Sequence, residues 1–345
     1  MTIGNQTAIR VSGPADLIEA VPYLLGFHPA ESLVLVGFDN SPGSTRQVTI
    51  TARLDLVPDG AERDSLRSLV QVLGRSSTGA VTAVLLTDRV AGDPRQQVWL
   101  AEIMRTLTAE LEPAGIQLLD ALVATESRWW SLCCVRPECC PPEGTLRSPQ
   151  TSTVAAAATY AGLVALPDRQ ALLSELDGAS EPVRAALLPA LRRADQRLRD
   201  LTRRNGPQQT RRGERAALWR AAGECQAGLQ LSPRRLARLG SALRDPEVRD
   251  AVWLAIDDRS LTADRLLDQL HSRLPGRYQA APLFLFGWQL WRAGCGTLAA
   301  AAAERALRSD PGYSAAALLL EAVEAGMDPR RTPPLTGDPA DRRPV

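Results

Sequence analysis

Four of the six cysteines in this chain fall within eight residues: Cys133, Cys134, Cys139 and Cys140. Thiolates are ligands for soft metals, and Cys134 and Cys139 are spaced closely enough to share one tetrahedral zinc ion. Adjacent cysteines, however, do not readily point at one metal, and structural zinc sites usually take four ligands from two spaced pairs. Three interpretations therefore stay open: a tight structural turn, a metal site with zinc as the candidate cofactor, or redox chemistry.

A second set of candidates could line a ligand pocket. His28 lies in a turn before the first strand, where it could act as a general base or simply hydrogen-bond the turn. Arg53 and Asp55 share the polar face of one strand and could bind an anion or pair with each other. Asp88 ends a central strand, where open α/β sheets place ligands. If these four residues form a site, their side chains must converge.

Hydrophobic periodicity predicts the elements that position these residues. The first 150 residues read as helix, strand, strand, helix, strand, helix, strand, strand. Residues 47–54 alternate between apolar and polar side chains, which indicates one buried and one polar face. Helical crossovers imply parallel pairing among the middle strands, and the hairpins imply antiparallel edges. We therefore predict an N-terminal α/β domain with a mixed sheet over residues 1–150.

The remainder reads as helix only. Amphipathic patterns predict helices over 181–204, 211–229, 232–243, 245–257, 262–274 and 313–325. Residues 283–311 fit one tetratricopeptide-like unit, in which Gly287, Gly294, Ala299 and Ala306 take the small-residue positions. The sequence therefore predicts an all-helical domain over residues 151–327 that ends in a helical hairpin. The Pro- and Arg-rich tail over residues 328–345 is expected to be disordered.

Composition excludes several kinds of function. All the basic residues are arginine, so a Walker-type phosphate loop and Schiff-base lysine chemistry are excluded. No nucleic-acid partner is expected, because the Arg-rich stretch 192–220 holds a single aromatic residue, Trp219, for stacking on bases. No apolar run is long enough to span a bilayer, so no membrane partner is expected. The absence of a targeting signal predicts a cytoplasmic location, where thiols stay reduced.

A further set of motifs runs along almost the whole chain, to about residue 327. It comprises residues 13–17 (Gly-Pro-Ala-Asp-Leu), 21–29 (Val-Pro-Tyr-Leu-Leu-Gly-Phe-His-Pro), 31–34 (Glu-Ser-Leu-Val), 51–55, 139–144 (Cys-Cys-Pro-Pro-Glu-Gly), 291–294 and 310–313. Together these motifs resemble one bacterial family, known as domain of unknown function 4192. The resemblance implies a cytoplasmic protein of a GC-rich bacterium and supplies no catalytic residue. The chain departs from the family pattern in the doubled Cys133 and Cys134, where one cysteine is expected.

Three functional hypotheses follow from these observations. The first is a non-enzymatic interaction or scaffold protein with a protein partner, since stacked helices typically present a groove to peptides. The second is an enzyme or small-ligand binder with its pocket in the α/β domain, lined by His28, Arg53, Asp55 and Asp88. The third is metal binding at the cysteine block.

Overall fold

The computed structural model describes residues 10–40, 46–56, 62–76, 78–90, 92–149 and 152–336. The chain divides into two compact units. The sheet unit runs through Leu172 and takes in Ala325–Asp328 again near the end of the chain. The helical unit comprises Leu173–Glu324 and the segment that begins at Pro329. The predicted domain boundary at residues 150 and 151 lies outside the described residues.

The sheet unit contains the predicted mixed sheet. Its strands are β1 (Ser32–Phe38), β2 (Val48–Asp55), β3 (Ala80–Leu86), β4 (Gln117–Ala124), β5 (Arg128–Ser131) and β6 (Thr145–Leu146). They lie in the order β2-β1-β3-β4-β5-β6. The α/β class is confirmed, and the two-residue strand β6 is an addition to the predicted elements.

Strand direction differs in part from the prediction. β1 lies between β2 and β3 and pairs antiparallel with both, so β3 and β4 form the one parallel pair in the described sheet. The hairpin places β2 at the edge, and the helical crossover after β2 returns the chain on the other side of β1. A helical crossover therefore did not imply that the two strands it joins are neighbours.

The centre of the sheet is buried on both faces. β3 is buried along its whole length, and β1 is buried from Leu33 to Gly37. The edge strand β2 is half-buried at seven of its eight positions, so its polar face is partly covered as well. The helices of this unit are α1 (Pro14–Leu25), α2 (Glu62–Arg75), α3 (Val98–Leu111) and α4 (Thr153–Tyr160).

The helical unit follows a short helix α5 (Arg169–Ser174) that contains the unit boundary. Its helices are α6 (Glu181–Ala185), α7 (Leu188–Asn205), α8 (Pro207–Gln226), α9 (Pro233–Ala242), α10 (Pro246–Asp257), α11 (Asp264–Arg273), α12 (Ala280–Arg292), α13 (Gly296–Ser309) and α14 (Ser314–Glu324). Among the described residues after Leu146 there is no further strand, only an isolated bridge between Phe27 and Leu166. The helical C-terminal region is confirmed.

One detail of the helical region differs from the prediction, and the predicted hairpin is present. The single helix expected over 181–204 is two helices, and Pro189 stands in the first turn of the second, where its missing N–H group costs nothing. The predicted helical hairpin is formed by α12 and α13. A Cβ atom on Gly287 would lie 3.1 Å from the Cβ of Ala302, so a small residue is needed there.

Candidate functional site

The cysteine block forms a loop between β5 and β6. Ser131 ends β5, and its hydroxyl oxygen accepts hydrogen bonds from the backbone N–H groups of Cys133 (3.2 Å) and Cys134 (3.0 Å). The same hydroxyl donates to Asp120 at 2.6 Å. A serine hydroxyl that accepts from residues two and three positions ahead is a common way to turn a chain. The turn fixes where the first two cysteines lie.

A second turn brings the later cysteines back to the first pair. The carbonyl oxygen of Arg136 accepts from the N–H groups of Cys139 (3.1 Å) and Cys140 (2.7 Å). As a result the sulfur atoms of Cys134, Cys139 and Cys140 all lie within 4.8 Å of one another. The sulfur atoms of the adjacent Cys139 and Cys140 are 3.9 Å apart, so both belong to this group although adjacent cysteines do not readily point at one metal.

Cys133 stands apart from this thiol cluster, by which we mean Cys134, Cys139 and Cys140. Its thiol lies beside Asp120 and the backbone of Ala121. Partial burial of the thiol, together with the negative charge of Asp120, raises the pKa of Cys133. The sequence left open which of the doubled cysteines works with the later pair, and the structure places Cys134 there.

The Pro-Pro-Glu-Gly segment after Cys140 is fixed on a buried tryptophan. The indole N–H of Trp130 donates to the carbonyl oxygen of Pro142 at 2.9 Å. Gly144 has φ +78°, and a Cβ atom there would lie 2.4 Å from the Trp130 ring. Only glycine combines this backbone conformation with this contact. The segment therefore holds Cys140 in place from its C-terminal side.

The thiols in the cluster differ in their acidity. A hydrogen bond from the Arg136 backbone N–H and another from the Cys140 thiol lower the pKa of Cys134. Burial, followed by the hydrogen bonds with Cys134 and Cys139, raises the pKa of Cys140 to about 12. The thiol of Cys134 is therefore more acidic than that of Cys140.

An arginine lies beside the cluster. Arg95 donates from Nη1 to the carbonyl oxygen of Cys134 at 3.2 Å, and its Nε donates to Asp93 at 2.8 Å. The hydrogen bond with Arg95 lowers the pKa of Asp93. The Arg95 guanidinium also interacts electrostatically with the thiols of Cys140 and Cys134. A positive charge near a thiol favours its thiolate form.

The cluster fits a soft metal ion. Tetrahedral zinc with Zn–S bonds of about 2.3 Å places neighbouring sulfur atoms about 3.8 Å apart. The Cys139 and Cys140 sulfurs are at 3.9 Å already, and none of the remaining separations exceeds 4.8 Å. Among the described residues, no fourth cysteine, histidine or carboxylate joins the group. The residues present therefore supply three thiolates.

The second set of predicted site residues lies at one end of the sheet. Arg53 and Asp55 form an ion pair with each other. Arg53 also donates from Nε to the hydroxyl of Ser32 at 2.8 Å, and its guanidinium lies 5.5 Å from the ring centroid of Phe27. Two of the five N–H donors of Arg53 are thus used inside the unit, on Ser32 and Asp55.

A glutamate that the sequence did not single out organises the same end of the sheet. Glu31 has φ +43°, in the left-handed region that is uncommon for side chains other than glycine. Its carboxylate accepts from the Thr87 hydroxyl (3.0 Å), the Asp88 backbone N–H (3.2 Å) and Arg89 Nε (2.6 Å). Asp88 in turn accepts from the backbone N–H of Glu126 at 3.0 Å.

His28 is exposed in the turn before Glu31, and its backbone N–H donates to Leu166. The register pairs Ser32 with both Asp55 and Leu86, so the candidates His28, Arg53, Asp55 and Asp88 lie at the same end of the sheet. Direct contact joins Arg53 to Asp55. That these residues form a ligand pocket stays a prediction.

The Arg-rich stretch 192–220 occupies α7 and α8. A cleft of about 380 Å³ opens there, with Arg199, Arg203 and Arg211 in its lining. Arg211 is paired with Asp245 at 2.8 Å, and the buried Glu214 accepts from Arg197 of α7 and Arg238 of α9. Several of these arginines therefore tie helices together.

The chain is thus a protein with two units: a mixed α/β unit, which contains the thiol cluster, and a helical unit. A family model described as domain of unknown function (DUF4192) matches residues 14–330. The chain belongs to this family, as its motifs indicated. No curated protein and no solved structure matches it. In the part of the chain that the structure describes, no helix has the length and apolar character needed to cross a membrane.

Proposed function

We propose that this protein binds a soft divalent metal ion, with zinc as the principal candidate, through Cys134, Cys139 and Cys140. The observation that supports the proposal is the convergence of three sulfur atoms within 4.8 Å of one another. Two turns of the chain and the packing of Gly144 against Trp130 produce this convergence. The bacterial cytoplasm that the sequence leads us to expect would keep these thiols reduced and able to bind metal.

Three protein ligands leave one position of a tetrahedral zinc ion to be filled from outside the cluster. Zinc sites with three protein ligands and one exchangeable position are typical of chemistry or ligand binding, whereas closed four-ligand sites are structural. Arg95 lies close enough to interact with the thiols, so its charge favours an anionic group at that position.

Metal binding must displace protons from the cluster. In the metal-free protein the pKa of Cys140 is raised to about 12, so its thiol is protonated at neutral pH. Coordination of a metal ion releases this proton to solvent. Apparent affinity for zinc should therefore rise with pH from 6 to 8, and the proton release should be measurable by calorimetry in buffers of different ionisation enthalpy. A pH-independent affinity would contradict thiolate ligation.

Metal analysis of single cysteine variants tests the proposal. Protein purified under reducing conditions should bind one equivalent of zinc, measured by elemental analysis and by competition with a chromophoric chelator. Cys134→Ser and Cys139→Ser should each weaken binding by at least about tenfold, because a hydroxyl is a poor soft-metal ligand. Cys133→Ser is the matched control and should bind normally.

Two results would count against metal binding. One is less than about a tenth of an equivalent of metal in the wild-type protein under conditions where structural zinc sites fill completely. The other is equal loss of binding in Cys133→Ser and Cys139→Ser. Mass spectrometry of the same samples would detect a disulfide, which would indicate redox chemistry at the cluster. Cys139 is exposed, so its variant is expected to fold.

A further inference from the structure

A buried carboxylate lies at the end of α10 in the helical unit. The side chain of Asp257 is fully buried. It accepts hydrogen bonds from the indole N–H of Trp288 at 2.8 Å and from Arg292 at 2.6 and 3.0 Å. Burial of a charged group is costly unless every lone pair finds a partner, so this carboxylate depends on the groups around it.

One more partner comes from a segment well beyond the helical hairpin. The backbone N–H of Leu335 donates to Asp257 Oδ2 at 2.6 Å. Arg292 donates to three carbonyl oxygens of the same segment: Pro329 (2.6 Å), Thr332 (2.7 Å) and Pro333 (3.1 Å). The region over 328–345 was predicted to be disordered; it is described as far as residue 336, and residues 337–345 lie outside the described residues.

All four of these hydrogen bonds go to backbone atoms of the segment 329–335. A guanidinium has five N–H donors, and Arg292 uses two on Asp257 and three on carbonyl oxygens of the segment. Recognition through main-chain atoms is largely independent of side-chain identity. A different chain with the same backbone path could make the same contacts.

Aromatic residues surround the arginine of the site. The Arg292 guanidinium lies 5.3 Å from the ring centroid of Trp288 and 5.4 Å from that of Trp291. Trp253 packs edge-on against Trp288 at 5.0 Å. Proline-rich segments bind proteins by docking on aromatic-lined surfaces, because their restricted backbone loses little entropy on binding. The segment held here contains Pro329, Pro333 and Pro334, which fits this mode.

We infer that Asp257 and Arg292 form a peptide-binding site, occupied in this chain by its own segment 329–335. The partner that fits the site is a proline-containing, irregular or extended segment of another protein, which displaces the resident segment. Charge and geometry support this assignment: the site offers one buried acceptor for an N–H group and three donors for carbonyl oxygens. This inference is independent of metal binding, since none of its residues belongs to the thiol cluster.

A chain that ends at Asp328 tests the inference. It keeps the residues Ala325–Asp328, which belong to the sheet unit, and removes the resident segment. A fluorescently labelled peptide with the sequence of residues 328–336 should bind this shortened chain, as measured by anisotropy. A tethered segment competes at millimolar effective concentration, so the intact protein should bind the same peptide at least about tenfold more weakly.

Matched peptides and variants separate specific binding from surface adsorption. A peptide with Leu335→Ala keeps the N–H that donates to Asp257 and should bind well, whereas Leu335→Pro removes it and should bind at least about fivefold more weakly. Arg292→Lys in the shortened chain keeps the charge but loses the fork of donors, so binding should fall by a similar factor. Equal affinity of the alanine and proline peptides would overturn the inference.

The intact protein provides a second test that does not depend on the shortened chain folding. Intact protein carrying Leu335→Pro should bind the added wild-type peptide more tightly than intact protein carrying Leu335→Ala, because its own segment is held less well. Identical affinities would show that the segment is only a structural part of the helical unit, and this would overturn the inference. A stable complex between shortened and intact chains would overturn the assignment to a different protein by identifying the partner as a second copy.

Discussion

Two carboxylate–arginine centres, one in each unit, use the same chemistry in different surroundings. In the sheet unit Glu31 pairs with Arg89, and both side chains are 38% exposed. In the helical unit Asp257 pairs with Arg292, and these side chains are 0% and 18% exposed. Water can replace a lost partner at the first centre but not at the second.

The two carboxylates also differ in where their hydrogen-bond partners lie in the sequence. Apart from Glu31, the first centre is made by Thr87, Asp88 and Arg89, consecutive residues at the end of β3 that are always present once the sheet forms. Asp257 takes one of its hydrogen bonds from a segment 78 residues away in sequence, which can in principle leave. The comparison indicates that a buried ion pair with a removable partner is the better place to look for exchange.

The largest expected effect is at the buried Asp257–Arg292 pair. Asp257→Ala should lower the free energy of unfolding by about 3–5 kcal/mol, because it leaves the Arg292 charge buried without its carboxylate. Urea denaturation followed by far-UV circular dichroism measures the change. A loss below that of Glu31→Ala in the same assay would reverse the contrast between the two centres.

The buried His271 extends the contrast from carboxylates to an imidazole. Burial, followed by the charges of Arg305 and Arg184, lowers the pKa of His271 to about 4. Neither of its ring nitrogens has a hydrogen-bond partner in the described part of the chain, although Asp268 lies 3.7 Å from Nε2. The unfolded chain takes up this proton near pH 6.5, so stability should fall as the pH drops from about 6.5 to about 4.

This loss should approach about 3 kcal/mol below pH 4, from 1.36 kcal/mol for each pKa unit. His271→Leu should remove that part of the pH dependence of unfolding. The same pH slope in His271→Leu and in the wild type would assign the effect to other groups.

Substitutions at Glu31 separate the two contributions of this residue. Glu31→Ala removes the carboxylate and should cost about 1–2 kcal/mol, because its hydrogen bonds are partly exposed to water. Glu31→Gly also removes it but suits the φ of +43°, so it should be about 1 kcal/mol more stable than the alanine variant. If alanine is the more stable of the two, the positive φ is not a source of strain.

The smallest effect is expected at the Arg53–Asp55 pair. Asp55 is 74% exposed, so its attraction to Arg53 is screened by solvent. Asp55→Asn should therefore change the free energy of unfolding by about 0–1 kcal/mol. Thermal denaturation of this variant beside Glu31→Ala would show whether the sheet-end residues act separately. A loss larger than that of Glu31→Ala would point to a shared network.

Local patterns in the sequence predicted much of the fold. The order of strands and helices followed from apolar runs and alternation, and the hairpin of α12 and α13 followed from the spacing of its small residues. These features depend on residues close in sequence. The direction of β1 relative to β3 did not follow, because it depends on which side of β1 the chain returns.

The candidate sites were predictable in composition but not in geometry. The cysteine block was evident, yet the choice of Cys134 over Cys133 depends on a turn made by the Ser131 hydroxyl. Glu31 gave no signal beyond its place in the opening motif, because a positive φ leaves no trace in residue type. Asp257 looked like one more acid on an amphipathic helix, and its partners are 31 to 78 residues away.

The short stretch Ala325–Asp328 belongs to the sheet unit, although Leu173–Glu324 of the helical unit separates it from the rest of that unit in sequence. Gly326 lies so close to α2 that a Cβ atom on it would be 2.4 Å from Val72. A recombinant fragment that stops at residue 172 would thus lack one of its own buried pieces. Adding back a short peptide that contains Gly326 should restore part of the lost stability, as in complementation of a nicked protein.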